Sequence, residues 1–353
     1  LFVEPMVRST WPKQWPREGF GGSGGNDNDG IVLAMRISVL VLDGVFDTGL
    51  ATVLDTLDTA NALTAATRRQ SAGFVVTKIG FRRRVRTSQG FVVSLESART
   101  APRPDVVIVP ALGAKSPETL APRLLERDVA EAGSLLHAWR AGGTRITAAC
   151  TGTFVLAKSG ILDGQRATTT WWLAPMMRAQ FPSVELDDSR MIIDSNGIAT
   201  AGAALAHVDL ALWLVRRQSP SIARATARHL VFDERPSQAS YVLPDFVAHS
   251  DPIVEKFEQW SRRHLAEFSL LEAARAIGAS TRTLERRLQS VLGKSPLSYV
   301  QDLRVEQAVH RLATTNESVD EVATLVGYGD GVTLRTLLRK KTGRGVRELR
   351  ARG

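Results

Sequence analysis

Cysteine is almost missing from this chain: among 353 residues there is one, Cys150. No intrachain disulfide can form, and a cysteine-rich zinc site is excluded with it. Long apolar runs are missing too. No stretch approaches the roughly 18 consecutive apolar residues that a bilayer span needs, and no charged-then-apolar signal opens the chain. A cytoplasmic location without a membrane partner is therefore expected. Neither a cluster of metal-ligating residues nor a glycine-rich phosphate loop of nucleotide-binding type is present, so no metal and no cofactor is expected. What is there is ordinary for a globular protein, 44% hydrophobic and 23% charged residues. The length allows two cores.

The formal charge is +9 and the sequence pI about 10.2, which points toward a polyanionic partner. The excess is uneven. Residues 251–353 hold 18 lysines and arginines against 13 acidic residues, and within 331–353 the count is 8 against 1. A basic run alone is a solvated surface, so the tail needs a motif beside it.

Residues 1–35 carry Trp-Pro and Pro-Arg steps and a Gly-Gly-Ser-Gly-Gly run without periodicity, and are expected to be a disordered extension. Met35, directly before the first strand-like run, is a candidate natural start. Over 37–217, short β-branched runs (Ile37–Leu42, Phe74–Thr77, Val106–Val109, Arg145–Ala149) alternate with helical stretches such as Leu50–Thr67 and Val129–Arg140. Such alternation predicts an α/β domain, over 36–235, with a largely parallel sheet. Met191–Asp194 and Gly197–Thr200 predict a hairpin across Ser195-Asn196, followed by a helix over Ala203–Val215. A polar connection over 236–250 then leads to Asp251-Pro252, a strong helix start, and to an all-α region over 251–353.

That last region contains an internal repeat. Ser269-Leu-Leu-Glu272 and Ser318-Val-Asp-Glu321, 49 residues apart, are both capping boxes in sequence. Ala274 matches Ala323 and Gly278 matches Gly327, a small residue and a left-handed stop at the crossing of two helices. Ser280 and Asp330 are N-caps for the next helix, in which Leu284 and Leu288 match Leu334 and Leu338, and Gly293 matches Gly343. Each copy is thus helix, tight turn, helix. The exposed start of the second helix shows Thr281, Arg282, Glu285 and Arg286 in copy one, and Gly331, Val332, Arg335 and Thr336 in copy two. In a helix-turn-helix this face reads bases in the major groove. The basic residues Arg339, Lys340, Lys341, Arg344 and Arg347 are the phosphate candidates. Val300, Leu303, Ala308 and Leu312 fit a helix that fixes the spacing of the copies.

Residues 251–353 resemble the AraC/XylS type of bacterial DNA-binding domain, including Gly293–Pro296, the Arg304/Ala308 helix and the Gly327-Tyr328-x-Asp330 turn. This family usually carries Phe at the positions of Leu334 and Leu338, and Pro at that of Val346.

Arg145–Ala149, then Cys150-Thr-Gly152, then an apolar helix reads as a strand-to-helix elbow. A thiol at a helix N-terminus is expected to have a lowered pKa, which makes it a candidate nucleophile or redox sensor; a buried, inert cysteine is the alternative. Residues 37–217 resemble the PfpI/ThiJ-like, glutamine-amidotransferase-type domain, and the combination with an AraC-type end resembles the GlxA-like regulators. The resemblance implies a flavodoxin-like sandwich followed by an all-α domain with two helix-turn-helix motifs. In catalytic relatives the elbow cysteine works with a histidine and a glutamate. Here the histidine position holds Thr170, which is no base, and Asp47 is the only carboxylate near the glutamate position. None of the six histidines lies within 30 residues of Thr170. A nucleophile without its partners loses the geometry that activates it.

The reading that follows is a sequence-specific transcriptional regulator, not an enzyme. Its amidotransferase-like domain is expected to sense a small polar metabolite, with Asp47, Cys150, Thr151 and Thr170 as pocket candidates, or to dimerise. The implied partners are a double-stranded DNA operator, RNA polymerase and a second copy of the chain. A cysteine hydrolase or amidase with an appended DNA-binding tail is the enzyme alternative; a non-specific architectural binder is the third reading.

Overall fold

Strands buried on both faces read as continuous apolar runs, and the parallel sheet of this protein is built from such runs. The computed structural model describes residues 34–350 apart from 68–72, 234, 236, 239–240 and 244–245. The expected disordered extension lies outside the described residues, except that Met35 is the first residue of a strand.

The chain runs β1 (Met35–Leu40), α1 (Asp47–Ala66), β2 (Phe74–Gly80), β3 (Arg84–Arg86), β4 (Val92–Ser94), β5 (Glu96–Ser97) and β6 (Val106–Val109). It continues with α2 (Pro117–Arg123), α3 (Arg127–Ala141), β7 (Arg145–Ala149), α4 (Gly152–Lys158), β8 (Arg166–Ala167) and a 3-10 turn over Trp171–Leu173. Next come α5 (Ala174–Gln180), β9 (Glu185–Leu186), β10 (Ile192–Ser195), β11 (Ile198–Ala201), α6 (Ala206–Gln218) and α7 (Pro220–His229).

Seven strands form one sheet in the order β10-β11-β7-β6-β1-β2-β5, parallel except for the β10–β11 hairpin at one edge. The hairpin turn is one residue further on than the sequence implies. Asn196 and Gly197 both have positive φ (49° and 80°), the backbone of a type I′ turn, so the strands meet across them. One face of the sheet packs on α2 to α5, with Leu136, Phe154 and Leu156 fully buried; the other packs on α1 and α6 through Val53, Leu57 and Leu210. Helix α6 starts and ends three residues later than its pattern predicts.

The remainder is helical: α8 (Pro252–Arg263), α9 (Leu270–Ile277), α10 (Thr281–Leu292), α11 (Pro296–Thr314), α12 (Val319–Leu325), α13 (Gly331–Thr342) and α14 (Val346–Arg350). Asp251 caps α8, accepting from the amides of Ile253 and Val254 at 3.0 and 3.1 Å. Two small cores follow one another. The first unites α8, α9, α10 and the start of α11; the second unites the rest of α11 with α12 to α14. These helices touch the α/β region where α5 meets α10. Arg178 pairs with Asp188 at 2.9 Å and lies so close over the α10 terminus that a Cβ at Gly293 would sit 2.2 Å from its guanidinium.

Candidate functional site

The repeat seen in sequence is a repeat in hydrogen bonds. The Ala279 amide donates to the Ala274 carbonyl and, 49 residues on, the Tyr328 amide donates to the Ala323 carbonyl, at 2.9 and 2.8 Å. Gly278 (φ 75°) and Gly327 (φ 88°) make the left-handed turns between helices. At Gly327 a side chain is also excluded by space, since a Cβ would lie 2.4 Å from the Ala266 carbonyl oxygen. The second copy closes a full capping box, with the Glu321 amide donating to Ser318 Oγ at 3.2 Å and the Ser318 amide to Glu321 Oε2 at 2.6 Å. In the first copy only one half forms: the Glu272 amide donates to Ser269 Oγ at 3.4 Å. Ser280 and Asp330 cap α10 and α13 as expected.

Leu284 and Leu288 of α10, and Leu334 and Leu338 of α13, are fully buried. Each such leucine stabilises its copy by about 1.5–3 kcal/mol. The leucines that replace the usual phenylalanines in the second copy are therefore packed core residues. Burial of that face leaves Arg282, Glu285 and Arg286 exposed on α10, with Thr281 half-buried, and Val332, Arg335 and Thr336 exposed on α13. Gly331 departs from the expected reading face. It is buried against Asp320, whose Oδ1 accepts its amide at 2.9 Å, and a Cβ there would sit 2.5 Å from the same oxygen.

Among the phosphate candidates, Arg339, Lys340 and Arg347 are exposed and Arg344 is half-buried. Lys341 is engaged elsewhere: its Nζ lies 2.7 Å from Asp302 Oδ1, while Lys294 Nζ lies 2.8 Å from Oδ2 of the same carboxylate. Asp302, in the middle of α11, so joins the end of copy one to the end of copy two. Arg304 makes a second tie, donating to the Leu265 carbonyl at 3.0 and 2.8 Å while its guanidinium lies 5.1 Å from the Tyr328 ring centre.

The elbow forms as the sequence implies. Cys150 takes φ 54° at the end of β7, one of three non-glycine residues with positive φ among the described residues, and α4 begins two residues later. The expected low pKa does not follow. Burial pushes the thiol up to about 12, against the weaker pull of the Thr151 amide. At neutral pH the sulfur is therefore a thiol, not the thiolate that attacks.

Among the described residues, only Thr151 and Thr170, neither of them a base, stand against the sulfur as hydrogen-bonding groups. Thr170 is fully buried, and its hydroxyl completes no hydrogen bond of proper geometry. His207 lies under the loop before α2, accepting from the Ala111 amide at Nε2 (3.0 Å) with Nδ1 2.6 Å from the Ala204 carbonyl. That pairing leaves the proton on Nδ1, and burial lowers the ring's pKa to about 4. It is a neutral, fully bonded core histidine.

Above the sulfur is an apolar cavity of about 510 Å³, with Cys150 in its wall and Phe46, Leu112, Trp171, Trp172, Leu243 and Phe246 around it. Of the four pocket candidates only Cys150 lines it. Thr151 is buried and donates its hydroxyl to the Leu112 carbonyl at 2.7 Å. Asp47 Oδ2 accepts from Ser88 Oγ and the Gln89 amide at 2.7 and 3.0 Å, pinning the turn after β3, while Oδ1 is buried without a hydrogen-bond partner.

A family model described as DJ-1/PfpI family matches residues 35–217, more than half of the chain. This chain belongs to the DJ-1/PfpI family. A second model, described as helix-turn-helix domain, matches residues 273–352. The HTH-type transcriptional regulator GbdR of Pseudomonas aeruginosa (strain UCBPP-PA14) is 28% identical over 200 residues, 55% of this chain and 54% of that protein. The HTH-type transcriptional regulator GlxA of Rhizobium meliloti (strain 1021) is 28% identical over 195 residues, 53% of this chain and 59% of that protein. The chain thus spans little more than half the length of these relatives. A crystal structure of an AraC family transcriptional regulator from Pseudomonas putida covers 56% of this chain and 99% of its own, with 20% identity and a TM-score of 0.47.

Two residues of this DJ-1/PfpI-family chain matter to the site and carried no sequence signal. His207 sits far along the chain from the elbow. Gln238 lies in the connection to the helical region, yet is fully buried beside the Thr168–Thr170 segment, donating to Thr168 Oγ1 at 3.2 Å and to the Thr169 carbonyl at 2.8 Å. Both positions are set by tertiary packing, which periodicity does not report.

Proposed function

We propose that this protein is a sequence-specific transcriptional regulator in which two AraC-type helix-turn-helix units read DNA and a non-catalytic DJ-1/PfpI region senses a ligand or holds a dimer. The observation that carries the reading is the tandem pair of capped helix-turn-helix units on one spacer helix, each with its leucine face buried and its first turns exposed. Arg282, Glu285 and Arg286 are assigned to base edges in one major-groove segment, and Val332, Arg335 and Thr336 to the next. Arg339, Lys340 and Arg344 are assigned to phosphates, which add affinity without reading sequence. The connection over 236–250 is taken as the boundary between the sensing and the reading regions. RNA polymerase and a second copy of the chain are the further partners proposed.

The state of Cys150 supports a non-catalytic α/β region: a protonated, buried thiol, with the buried histidine His207 neutral and bonded at both ring nitrogens, lacks an activated nucleophile. Selection of bound sequences from a random duplex pool, at stated salt, tests the proposal. Enrichment of two short elements about one helical turn apart is expected. A pool that enriches nothing overturns sequence-specific regulation.

A further inference from the structure

Polar ligands need polar groups on the cavity wall that the protein has left unengaged; the unpartnered Thr170 hydroxyl and Asp47 Oδ1 are not among the residues lining the cavity, and several groups beside it are already bonded within the protein. The Ala111 amide is held by His207 and the Gly113 amide by the Gly44 carbonyl at 2.7 Å. The Thr151 hydroxyl is held by Leu112, the Thr169 hydroxyl by the Cys150 carbonyl at 2.9 Å, and Asp47 Oδ2 by the turn after β3. What faces the cavity instead is ring surface: Phe46 and Phe246, with Trp171 and Trp172 set edge to face at 5.3 Å between centres. One charged side chain, Lys115, lines the cavity, and it has no ion pair or hydrogen bond among the described residues. Leu243 and Phe246, from the connection to the helical region, stand at 44% and 68% exposure beside the opening.

We infer that this cavity binds a flat aromatic carboxylate, its rings lying among the tryptophans and phenylalanines and its carboxylate turned outward to Lys115. The inference deepens the ligand-sensing part of the proposed function and rests on it. The volume, about 510 Å³, lies within the range of small-molecule pockets. Rings placed there gain edge-to-face and offset contacts, and apolar area at the mouth is covered. A buried cation or a zwitterion finds no carboxylate and no free donor pair to replace its water. The anion at the rim keeps part of its hydration and meets the ammonium.

Isothermal titration of the full chain with 1-naphthoate, in the absence of DNA, measures this directly and is independent of whether any operator exists. Saturable binding with a negative heat-capacity change is expected. Lys115→Met, an exposed substitution, is expected to weaken naphthoate by about fivefold while leaving the neutral 1-naphthalenemethanol unchanged. Ala204→Phe, which fills the cavity from its wall, is expected to abolish both. No binding of naphthoate, equal loss of acid and alcohol on Lys115→Met, equally tight binding of decanoate, or displacement of naphthoate by glycine each overturns the assignment. Failure of DNA selection with naphthoate binding intact overturns the regulatory reading and leaves the ligand site standing.

Discussion

Gln238 donates its side-chain amide to the carbonyl of Thr169 at 2.8 Å, and so fastens the connection between the two regions to the segment that backs the elbow. Thr169 passes the tie on through its hydroxyl to the Cys150 carbonyl. Replacing Gln238 by alanine leaves a buried carbonyl without its donor, a cost of about 1–3 kcal/mol. A lower urea midpoint and faster chymotryptic cleavage after Tyr241, in the same connection, are expected. Unchanged values of both would show that the amide holds nothing.

A thiol whose pKa stands near 12 should ignore alkylating agents in the native protein. Iodoacetamide at pH 8 is expected to label Cys150 slowly in buffer and readily in urea, where the unfolded value of about 8.5 applies. Cys150→Ala is expected to leave the selected DNA sequence unaltered. Rapid native labelling would reinstate a reactive elbow.

The elbow and the paired helix-turn-helix units were legible in sequence because both are local. A strand, two alanines, Cys150 and Gly152 lie within a few residues, and each capping serine stands three residues from its partner. The cavity's chemistry was not legible. Its walls come from Phe46, Trp171 and Phe246, which meet only after the sheet has formed and the connection has folded back. Gly331 shows the same limit on a smaller scale: its place at the start of a reading helix marked it as a base contact, and the carboxylate of Asp320 that covers it comes from the preceding helix.

Base contacts and phosphate contacts should separate on mutation. Arg282→Ala or Arg335→Ala is expected to cost about 1–3 kcal/mol on the selected site and to relax preference at one position. Arg339→Ala should weaken selected and random duplex alike and lower the salt slope by about one. Competition titrations at several salt concentrations read both. Equal losses on both duplexes for Arg282→Ala would remove it from the base-reading set.

His249 gives the connection a pH dependence. Burial acts to lower its pKa, but the Glu258 carboxylate 3.1 Å from Nε2, with Glu255 and Asp251 near, holds it above the ordinary value. A group raised on folding stabilises fully below its unfolded value, about 6.5, and loses that contribution as pH rises through the folded one. Urea midpoints are expected to fall across that window in the parent and to fall less in His249→Gln. Parallel curves would assign the dependence elsewhere.

Asp302 holds Lys294 and Lys341 at once, and with them the two reading units at one separation. The units are held together but are not alike, for one offers Arg282, Glu285 and Arg286 and the other Val332, Arg335 and Thr336. A single protomer therefore has a head and a tail, and under the proposed function the stretch of duplex it would cover has a polarity. On that proposal, reversing the stretch in front of a gene would turn the α/β region to the opposite side of the promoter, and the orientation of the site would carry information that its sequence content alone does not.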